Sequence, residues 1–267
     1  MKYIVLSGVS GGMGLATAKK LVEAGYYVFG LDIKEPKEKI DNLTFIKTDL
    51  RDMESVKSAF ELVKKTTSEI ESIISMAGIY DLNSLIEMSE EDFIRIFDIN
   101  VFAIYRLNKV FVPLLKDKGK VVMVSSELAP LDPLPFTGLY GITKSTIEKY
   151  AYSLRMELQL LGKQVVVIRP GAVNTSLLDV STIRIDRFSS ETELYKYNAE
   201  KFKKITNSVE NRKISAEKIG DLTIKILKKK NPKYVYKINR NFGLLLLNAL
   251  PQRMQNWIIR KILKPSK

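Results

Sequence analysis

Short apolar runs alternate with amphipathic stretches along the first 175 residues, and this alternation restricts the fold more than any other feature. The apolar runs are short and rich in β-branched residues, whereas the stretches between them repeat apolar residues at helical spacing. Strands separated by helices favour parallel βαβ units, so we predict an α/β fold with a doubly wound parallel sheet and helices on both faces. Strands are predicted over residues 3–6, 27–31, 44–47, 73–76, 120–124 and 164–168, with another at 233–238, and helices near 13–24, 52–66, 89–116 and 140–161.

Two residue types that carry much of enzyme chemistry are absent, because the chain has no Cys and no His. Without Cys there are no disulfides, no thiolate nucleophile and no Cys-ligated zinc. Without His there is neither a His-based triad nor an imidazole metal site. We therefore expect no metal centre, and proton transfer must rely on Asp, Glu, Tyr, Lys or water.

The chain of 267 residues has neither an internal repeat nor a low-complexity linker, which predicts a single domain over residues 1–267. No stretch approaches the ~18 apolar residues that cross a bilayer. The start, MKYIVLSGVSGGMG, lacks the charged, apolar and small-residue regions of a signal peptide. We therefore expect a cytoplasmic protein.

A glycine-rich turn joins the first predicted strand to the first predicted helix. Glycine lets the backbone turn tightly and lets a pyrophosphate approach the free N–H groups of a helix N-terminus. The turn alone is a weak indication, because tight strand-to-helix turns also use glycine for steric reasons. The cofactor contacts predicted in this turn are Gly8, Ser10, Gly11, Gly12, Met13 and Gly14.

An acidic residue, Asp32, ends the second predicted strand, 18 residues beyond Gly14. A carboxylate at this position accepts both ribose hydroxyls of an adenosine and repels a 2′-phosphate. Lys34 and Lys37 are the basic residues that could favour that phosphate. NAD is therefore predicted in preference to NADP, the alternative being that Asp32 only caps a turn.

Tyr140 and Lys144 are four residues apart, so they share one face of a predicted helix. Ser126 lies 14 residues before Tyr140, at the end of the strand-like run 121–125. A lone pair at this spacing is common by chance, but here it follows the glycine turn and Asp32 in a fixed order. The pattern resembles the short-chain dehydrogenase/reductase family in its single-domain form, over roughly residues 1–175.

The resemblance implies a Rossmann-type sheet and a nicotinamide cofactor. The glycine turn of the family, TGxxxGxG, reads SGVSGGMG here, with Ser7 in place of the threonine. The further cofactor contacts that the resemblance implies are Asp49 and Leu50 at the adenine ring, Ala77 and Gly78 in the cleft, Pro170, Gly171, Val173 and Thr175 at the nicotinamide carboxamide, and Asn100, Tyr140 and Lys144.

One segment departs from the family pattern, because the usual NNAG reads SMAG at residues 75–78. This segment braces the sheet and lines the cofactor cleft. Ser75 is expected to keep part of the hydrogen bonding of the missing asparagine.

The resemblance also implies the chemistry, which is hydride exchange at a hydroxyl or carbonyl carbon while a proton moves at oxygen. Tyr140 carries the proton, and Lys144 favours its phenolate, since a free tyrosine has a pKa of about 10. Ser126 holds the substrate oxygen, and Asn100 anchors a water that relays protons from Lys144. Ser125 remains the alternative to Ser126, because the usual serine-to-tyrosine spacing of the family is nearer 13.

Residues 177–211 follow the PG motif and are predicted to form a lid over the substrate. The apolar and aromatic side chains of this segment suit a lipophilic alcohol or ketone, although a lid packing on itself would look the same. These side chains are Leu177, Leu178, Ile183, Phe188, Tyr195, Tyr197 and Phe202.

Positive charge is concentrated near the C-terminus, where residues 201–267 carry 18 Lys and Arg against 3 Asp and Glu. Within the basic amphipathic segment 242–267, apolar residues including Trp257 recur at helical spacing among Arg and Lys. Three interpretations stay open: an interfacial helix on an anionic membrane, a cover over the substrate mouth, or a subunit contact. Residues 231–251 also resemble the tail of family branches that act on retinoids and hydroxysteroids.

The leading hypothesis is an NAD(H)-dependent oxidoreductase that interconverts a secondary alcohol and a ketone on a lipophilic, steroid- or retinoid-like molecule. A homodimer or homotetramer is expected from the resemblance, and peripheral membrane association through residues 242–267 is left open. One alternative is an enzyme of the family acting on a small polar substrate, such as a sugar or a 3-hydroxyacyl thioester. Another is a non-catalytic NAD(H)-binding redox sensor. No nucleic-acid partner is expected, because the basic segment lacks a recognisable binding module.

Overall fold

The structure, a computed structural model, describes residues 1–175, 185–210 and 213–264. The main sheet has seven strands: β1 Lys2–Ser7, β2 Tyr26–Asp32, β3 Leu43–Lys47, β4 Ile70–Ser75, β5 Leu115–Val124, β6 Gln164–Pro170 and β9 Val235–Ile238. Two short strands, β7 Val173–Asn174 and β8 Ile214–Ser215, pair with each other beside it.

The helices are α1 Gly12–Glu23, α2 Met53–Thr66, α3 Glu90–Phe97, α4 Ala103–Phe111, α5 Gly138–Leu158, α6 over residues 185–191, α7 Lys196–Glu210, α8 Glu217–Lys228, α9 Phe242–Asn248 and α10 Gln252–Leu263. None of the helices in the described ranges combines the length and apolarity needed to traverse a bilayer.

The strand order of the main sheet is β3-β2-β1-β4-β5-β6-β9, and all of its pairings are parallel. The order reverses between β1 and β4, which leaves a crevice at the carboxyl ends of these two strands. Ligands of doubly wound sheets bind in this crevice. The α/β, doubly wound parallel fold predicted from the sequence is therefore confirmed.

Side chains of successive strand residues point to opposite faces, and each face is covered by its own helices. In β1, Val5 belongs to the core under α2, α4 and α5, whereas Ile4 and Leu6 belong to the core under α1 and α8. All three are completely buried. This arrangement explains why the strands read as continuous apolar runs rather than as alternating patterns.

The single helix predicted near residues 89–116 is wrong in detail. The structure divides it into α3, a π-helical turn Asp98–Phe102, α4 and a short 3-10 turn Val112–Leu114. Strand β5 then begins at Leu115, five residues before the strand that we predicted. Pro113 lacks an N–H donor, so the α-helix does not continue through it, and a register shift between Ile70 and Ser72 accommodates the early start of β5 on its partner strand.

The C-terminal segment packs on the carboxyl side of the sheet. Leu263 of α10 and Phe202 of α7 share an apolar cluster with Leu82 and Ile185. The side-chain amide of Asn198 in α7 donates to the carbonyl oxygen of Leu263 at 2.7 Å. Helix α10 thus packs on α7 and on the segment that follows β4, and the three interpretations of the tail stay predictions.

Replacing glycine by alanine at two helix positions tests how closely the helices pack. At Gly220 of α8, a Cβ would lie 2.8 Å from Cγ of Lys20 and 3.2 Å from the carbonyl oxygen of Ala16, both on α1. At Gly141 of α5, no heavy atom lies within 4 Å of the Cβ position. We predict that Gly220→Ala lowers the free energy of unfolding by about 1–3 kcal/mol, while Gly141→Ala raises it by about 0.5–1 kcal/mol. Urea denaturation measures both, and changes of the same sign would contradict this packing.

Candidate active site

The glycine turn lies so close to neighbouring backbone that side chains are excluded from it. Gly8 has φ +76°, and a Cβ on it would lie 2.6 Å from the backbone nitrogen of Ala77. A Cβ on Gly14 would overlap the carbonyl oxygen of Gly8, and one on Gly12 would lie 2.7 Å from Cβ of Thr175. The turn therefore brings together the start of α1, the end of β4 and the PG segment. A backbone cradle of this kind fits the pyrophosphate of a dinucleotide.

Asp32 lies at the end of β2, next to the glycine turn. Its carboxylate accepts the backbone N–H of Ser10 at 3.0 Å and that of Ile33 at 2.8 Å. The Ser10 hydroxyl in turn donates to the carbonyl oxygen of Lys34. Asp32 therefore fixes the loop after β2 against the glycine turn, at the position where the sequence predicted a ribose contact.

Asp49 and Leu50 lie at the end of β3, next to the same crevice. The Asp49 carboxylate forms an ion pair with Arg51, whose hydrogen bond holds the pKa of Asp49 below its usual range. Leu50 is nearly buried, and its carbonyl oxygen accepts from Arg106 at 3.4 Å. The side chain of Asp49 is thus engaged within the protein.

Asn100 lies on the π-helical turn and is completely buried. Its Oδ1 accepts the N–H of Ile79 at 2.8 Å, and its Nδ2 donates to the carbonyl oxygen of Ile79 at 3.0 Å and to the hydroxyl of Thr143 at 3.2 Å. The carboxamide therefore ties the chain after β4 to helix α5. A Cβ on Gly78 would lie 3.2 Å from Oδ1 of Asn100, so the close approach depends on glycine there.

Ser75 does not keep the hydrogen bonding that we expected of it. Its hydroxyl oxygen is buried and has no hydrogen-bond partner among the described atoms. The serine side chain is shorter than that of the asparagine in the family pattern and carries a single polar atom, so it cannot reach the same neighbours.

Tyr140 and Lys144 lie on the first two turns of α5, facing the end of β5. Ser126 and Tyr140 line the same cavity, and the Ser126 hydroxyl is close enough to the Tyr140 phenol to lower its pKa. Nζ of Lys144 donates to the carbonyl oxygen of Val124 at 3.2 Å and lies 5.5 Å from the centre of the Tyr140 ring. Ser126, Tyr140 and Lys144 are therefore brought together at the carboxyl end of β5.

Ser125 binds a different side chain. Its hydroxyl donates to Oε1 of Glu148 at 2.9 Å, and Glu148 also accepts from Nε of Arg169 at 2.6 Å. Glu148 and Arg169 form a largely buried ion pair between α5 and β6. Of the two neighbouring serines, the structure thus brings Ser126 to Tyr140 and uses Ser125 to hold α5 to the sheet.

Burial controls the titration of the two ionisable groups in this site. It raises the pKa of Tyr140 to about 12, and the nearby Ser126 hydroxyl opposes this shift. It also lowers the pKa of Lys144 to about 8. In both cases removal from water disfavours the charged form. At a pKa of about 12 the Tyr140 phenol is protonated at neutral pH. The stabilisation of its phenolate by Lys144 and an oxidised nicotinamide stays a prediction.

A single cavity joins these residues to the PG segment and to the helices above it. The lining includes Pro170, Gly171, Val173 and Thr175 of the PG segment. Among the predicted lid residues, Phe202 lines the cavity, whereas Phe188 and Tyr195 pack on Phe136. Leu177, Leu178 and Ile183 lie outside the described residues, and Tyr197 is not among the lining side chains.

Several residues that line the cavity were not predicted from the sequence, among them Tyr80, Glu127 and Leu244. Tyr80 packs edge-on against Tyr140, with ring centres 4.6 Å apart. Leu244 of α9 and Glu127, which directly follows Ser126, also line the cavity. The positions of Tyr80 and Glu127 next to recognised motifs are the signal that could have found them, whereas Leu244 depends on how the tail folds back. Within residues 1–175, 185–210 and 213–264, no carboxylates gather as a metal site would require.

Comparison with known proteins identifies relatives of this chain. The sequence profile of a family described as short chain dehydrogenase matches residues 2–184. A 3-ketodihydrosphingosine reductase of Bacteroides thetaiotaomicron is 26% identical over 264 residues, covering 97% of each chain. An NADPH-dependent 1-acyldihydroxyacetone phosphate reductase of Schizosaccharomyces pombe is 33% identical over 184 residues, which cover 66% of this chain and 61% of that protein.

Solved structures share the fold. A short-chain dehydrogenase from Streptomyces avermitilis superimposes with a TM-score of 0.77 at 20% identity, covering 99% of this chain and 98% of its own. At this identity the likeness concerns the fold alone.

The buried ammonium of Lys144 should reduce stability, because its pKa is lowered to about 8. Lys144→Met is expected to raise the free energy of unfolding at pH 7 by about 1–3 kcal/mol, since one pKa unit corresponds to about 1.4 kcal/mol. The same change at the exposed Lys149 of α5 is the control, with an expected effect within about 0.5 kcal/mol.

The pH dependence of the stability gained in Lys144→Met shows whether the gain comes from removing a buried charge. Below pH 8 Lys144 is charged in both the folded and the unfolded chain, so the gain in Lys144→Met is at its full size. Between pH 8 and about 10.4 the unfolded chain alone binds the proton, so wild-type stability rises and the gain shrinks. Urea denaturation at pH 7 and pH 10 measures the difference in free energy of unfolding between Lys144→Met and the wild type. A difference independent of pH would contradict a charge-based cause.

Proposed function

The chain belongs to the short-chain dehydrogenase family, and on that premise we propose that it reduces a ketone on a long-chain lipophilic molecule with NADH. The chain is an oxidoreductase that acts on a secondary-alcohol or ketone substrate with a nicotinamide cofactor. The observation that carries the finer proposal is the cavity around Tyr140 and Ser126, whose walls beyond these two residues are largely apolar. We also propose that residues 1–267 act as one domain.

The cavity favours a lipophilic substrate because apolar side chains from four parts of the chain converge on it. Transfer of an aliphatic chain from water to such a surface contributes about 0.8 kcal/mol for each CH₂ group. A sugar would instead leave its hydroxyls without partners along these walls. The apolar lining residues are Met76, Ile79, Leu134, Phe202, Ile205 and Leu244.

The relatives support a keto lipid rather than a steroid. The relative that matches along 97% of both chains is named for the reduction of 3-ketodihydrosphingosine. The steroid- or retinoid-like substrate expected from the tail resemblance stays a prediction, and an estradiol 17-beta-dehydrogenase 2 of Mus musculus matches over only 49% of that protein.

We assign the proton transfer to Tyr140. Bound nicotinamide supplies the hydride. Burial keeps the Tyr140 phenol protonated, which suits it to donate to the substrate oxygen as the ketone is reduced. Ser126, which lines the cavity beside Tyr140, would hold that oxygen and stabilise its developing charge. Lys144, with its pKa of about 8, would return the proton from the solvent side.

Asn100 is proposed as a positioning residue for this chemistry. Its carboxamide binds the backbone of Ile79 and the hydroxyl of Thr143, which is next to Lys144 in α5. It thereby holds the helix that carries Tyr140 and Lys144. The relay water that the resemblance implies stays a prediction.

For the cofactor, we propose NAD(H) held by the glycine turn, Asp32 and the PG segment. The Asp32 carboxylate lies beside Ser10 at the end of β2, where it would accept ribose hydroxyls and repel a 2′-phosphate. The Schizosaccharomyces pombe relative is named as NADPH-dependent, so NADP(H) is the competing assignment. The other proposed contacts are those predicted from the sequence.

The membrane surface proposed for the tail is the exposed side of α9 and α10. Phe242, Leu246, Met254 and Trp257 are each at least half exposed. Arg and Lys flank these side chains, with Nζ of Lys261 5.0 Å from the Trp257 ring centre. Apolar side chains beside basic ones suit an anionic bilayer surface, and Leu244 of α9 lines the cavity that a lipid would enter.

A homodimer or homotetramer stays a prediction. Phe102 and Tyr105 near α4 and Tyr152 and Met156 on α5 are more than two-fifths exposed. Such large apolar side chains on neighbouring elements favour a subunit contact.

Tyr140→Phe tests the assignment of the proton donor. Loss of the phenol should lower kcat for ketone reduction by about 10²–10⁴-fold and leave the Kd for NADH within about threefold of the wild type. Tyr152→Phe, an exposed change in the same helix, is the control. Stopped-flow absorbance and fluorescence titration measure the two quantities. Turnover near the wild-type rate, or lost NADH binding, would contradict the assignment.

Asp32→Asn tests the cofactor preference. The amide can still accept the Ser10 N–H but carries no charge to repel a 2′-phosphate. We expect the wild type to prefer NADH over NADPH in kcat/KM, and the variant to lose about tenfold of that preference. Asp41→Asn, at an exposed site before β3, is the control. A wild-type preference for NADPH would contradict the proposal and assign NADP(H) as the cofactor.

The single tryptophan of the chain, Trp257, reports on membrane contact. With vesicles of anionic lipid, Trp257 emission should shift to shorter wavelength, and high salt should weaken the effect. A Phe242→Ser, Leu246→Ser double variant should lose the shift. The control, Leu160→Ser with Leu161→Ser, removes two exposed leucines after α5 and should keep it. Equal shifts of Trp257 emission in both double variants would show that this surface does not bind the membrane.

A further inference from the structure

One carboxylate lies in the reaction cavity beside its apolar walls. Glu127 directly follows Ser126 and lines the same cavity as Tyr140. One of its oxygens accepts the backbone N–H of Asn241 at 2.6 Å. The other lies 3.0 Å from the Cβ position of Gly171, on the PG segment. Neither the proton transfer nor the cofactor contacts proposed above use this carboxylate.

The negative charge of Glu127 is only partly balanced by its surroundings. Burial raises the pKa of Glu127, whereas the Asn241 amide and the charge of Arg240 lower it. Within the described chain, Arg240 is the cation that acts on it, and Arg240 is an exposed residue. A carboxylate removed from water is stabilised by a cation that reaches it with a hydrogen bond.

We propose that Glu127 binds a positively charged amine that the substrate carries close to its reacting carbonyl. This rests on the proposed function, because the amine is located relative to a ketone held by Ser126 and Tyr140. Glu127 follows Ser126 and lines the same cavity as Ser126 and Tyr140, which places it beside a ketone held there. The substrate class is then a long-chain aminoketone, with its aliphatic chain along the apolar walls and its ammonium on Glu127.

Two other roles for Glu127 make different predictions. As a tether, Glu127 would only hold Asn241 and the start of α9. Its loss would then lower the rate of reduction equally for every substrate. As a cofactor contact near Gly171, it would change the affinity for the nicotinamide. Glu127→Gln separates these roles from amine binding, because the amide still accepts the Asn241 N–H but has no charge.

The experiment compares two ketones of equal chain length at pH 7, a long-chain 2-amino-3-ketone and the same 3-ketone without the amine. The wild type is expected to prefer the aminoketone by at least tenfold in kcat/KM, and Glu127→Gln to lose about tenfold or more of that preference. The variant should reduce the plain ketone within threefold of the wild-type rate and keep its Kd for the reduced cofactor. Glu61→Gln, an exposed carboxylate on α2, is the matched control and should change neither ratio.

Several outcomes would overturn the inference. Equal losses on both ketones would make Glu127 a tether, and a changed Kd for the cofactor would make it a cofactor contact. A wild-type enzyme that reduces both ketones equally well would reject the amine site and leave the proposed function standing. If the wild type reduces neither ketone, the proposed function itself fails, and the amine site fails with it.

Discussion

The candidate site depends on how helix α5 is held against the carboxyl edge of the sheet. Hydrogen bonds fix the helix on three sides: from Lys144 to the carbonyl oxygen of Val124, from Asn100 to Thr143, and from β6 through the ion pair to Glu148. These contacts come from β5, from the π-helical turn and from β6. Because they lie within one and a half turns of α5, they define where its first two turns point. The cavity and the proposed chemistry take their positions from this helix.

Burial gives the site its chemistry and also reduces its stability. Lys144 is buried and Tyr140 is partly buried, which brings the ammonium to a pKa of about 8 and favours the neutral phenol. A protonated phenol is a proton donor, and a lysine that titrates near neutral pH can return the proton after each turnover. The cost is a buried cation in the folded protein. A carboxylate in the same cavity, Glu127, adds a second charge that a cationic substrate would balance.

Features set by local sterics could be predicted from the sequence, and features set by distant contacts could not. The turn at Gly8 and Gly14 excludes a Cβ through neighbouring backbone, so its glycines mark the site in the sequence itself. The early start of β5 at Leu115 depends on its pairing with β4, which no local pattern records. The lost hydrogen bond of Ser75 depends on which atoms lie around it. Glu127 reads as an ordinary surface acid until the tail folds back and the cavity encloses it.

The most direct test of the proposed reaction is the absorbance of reduced nicotinamide during a single turnover with excess enzyme and a long-chain ketone. We expect that one equivalent of NADH is consumed for each ketone and that the corresponding secondary alcohol is formed. NADH that binds without being consumed by any long-chain ketone would indicate a cofactor-binding sensor. Consumption with sugars or acyl thioesters alone would also contradict the lipophilic site, because the apolar walls would then serve no substrate.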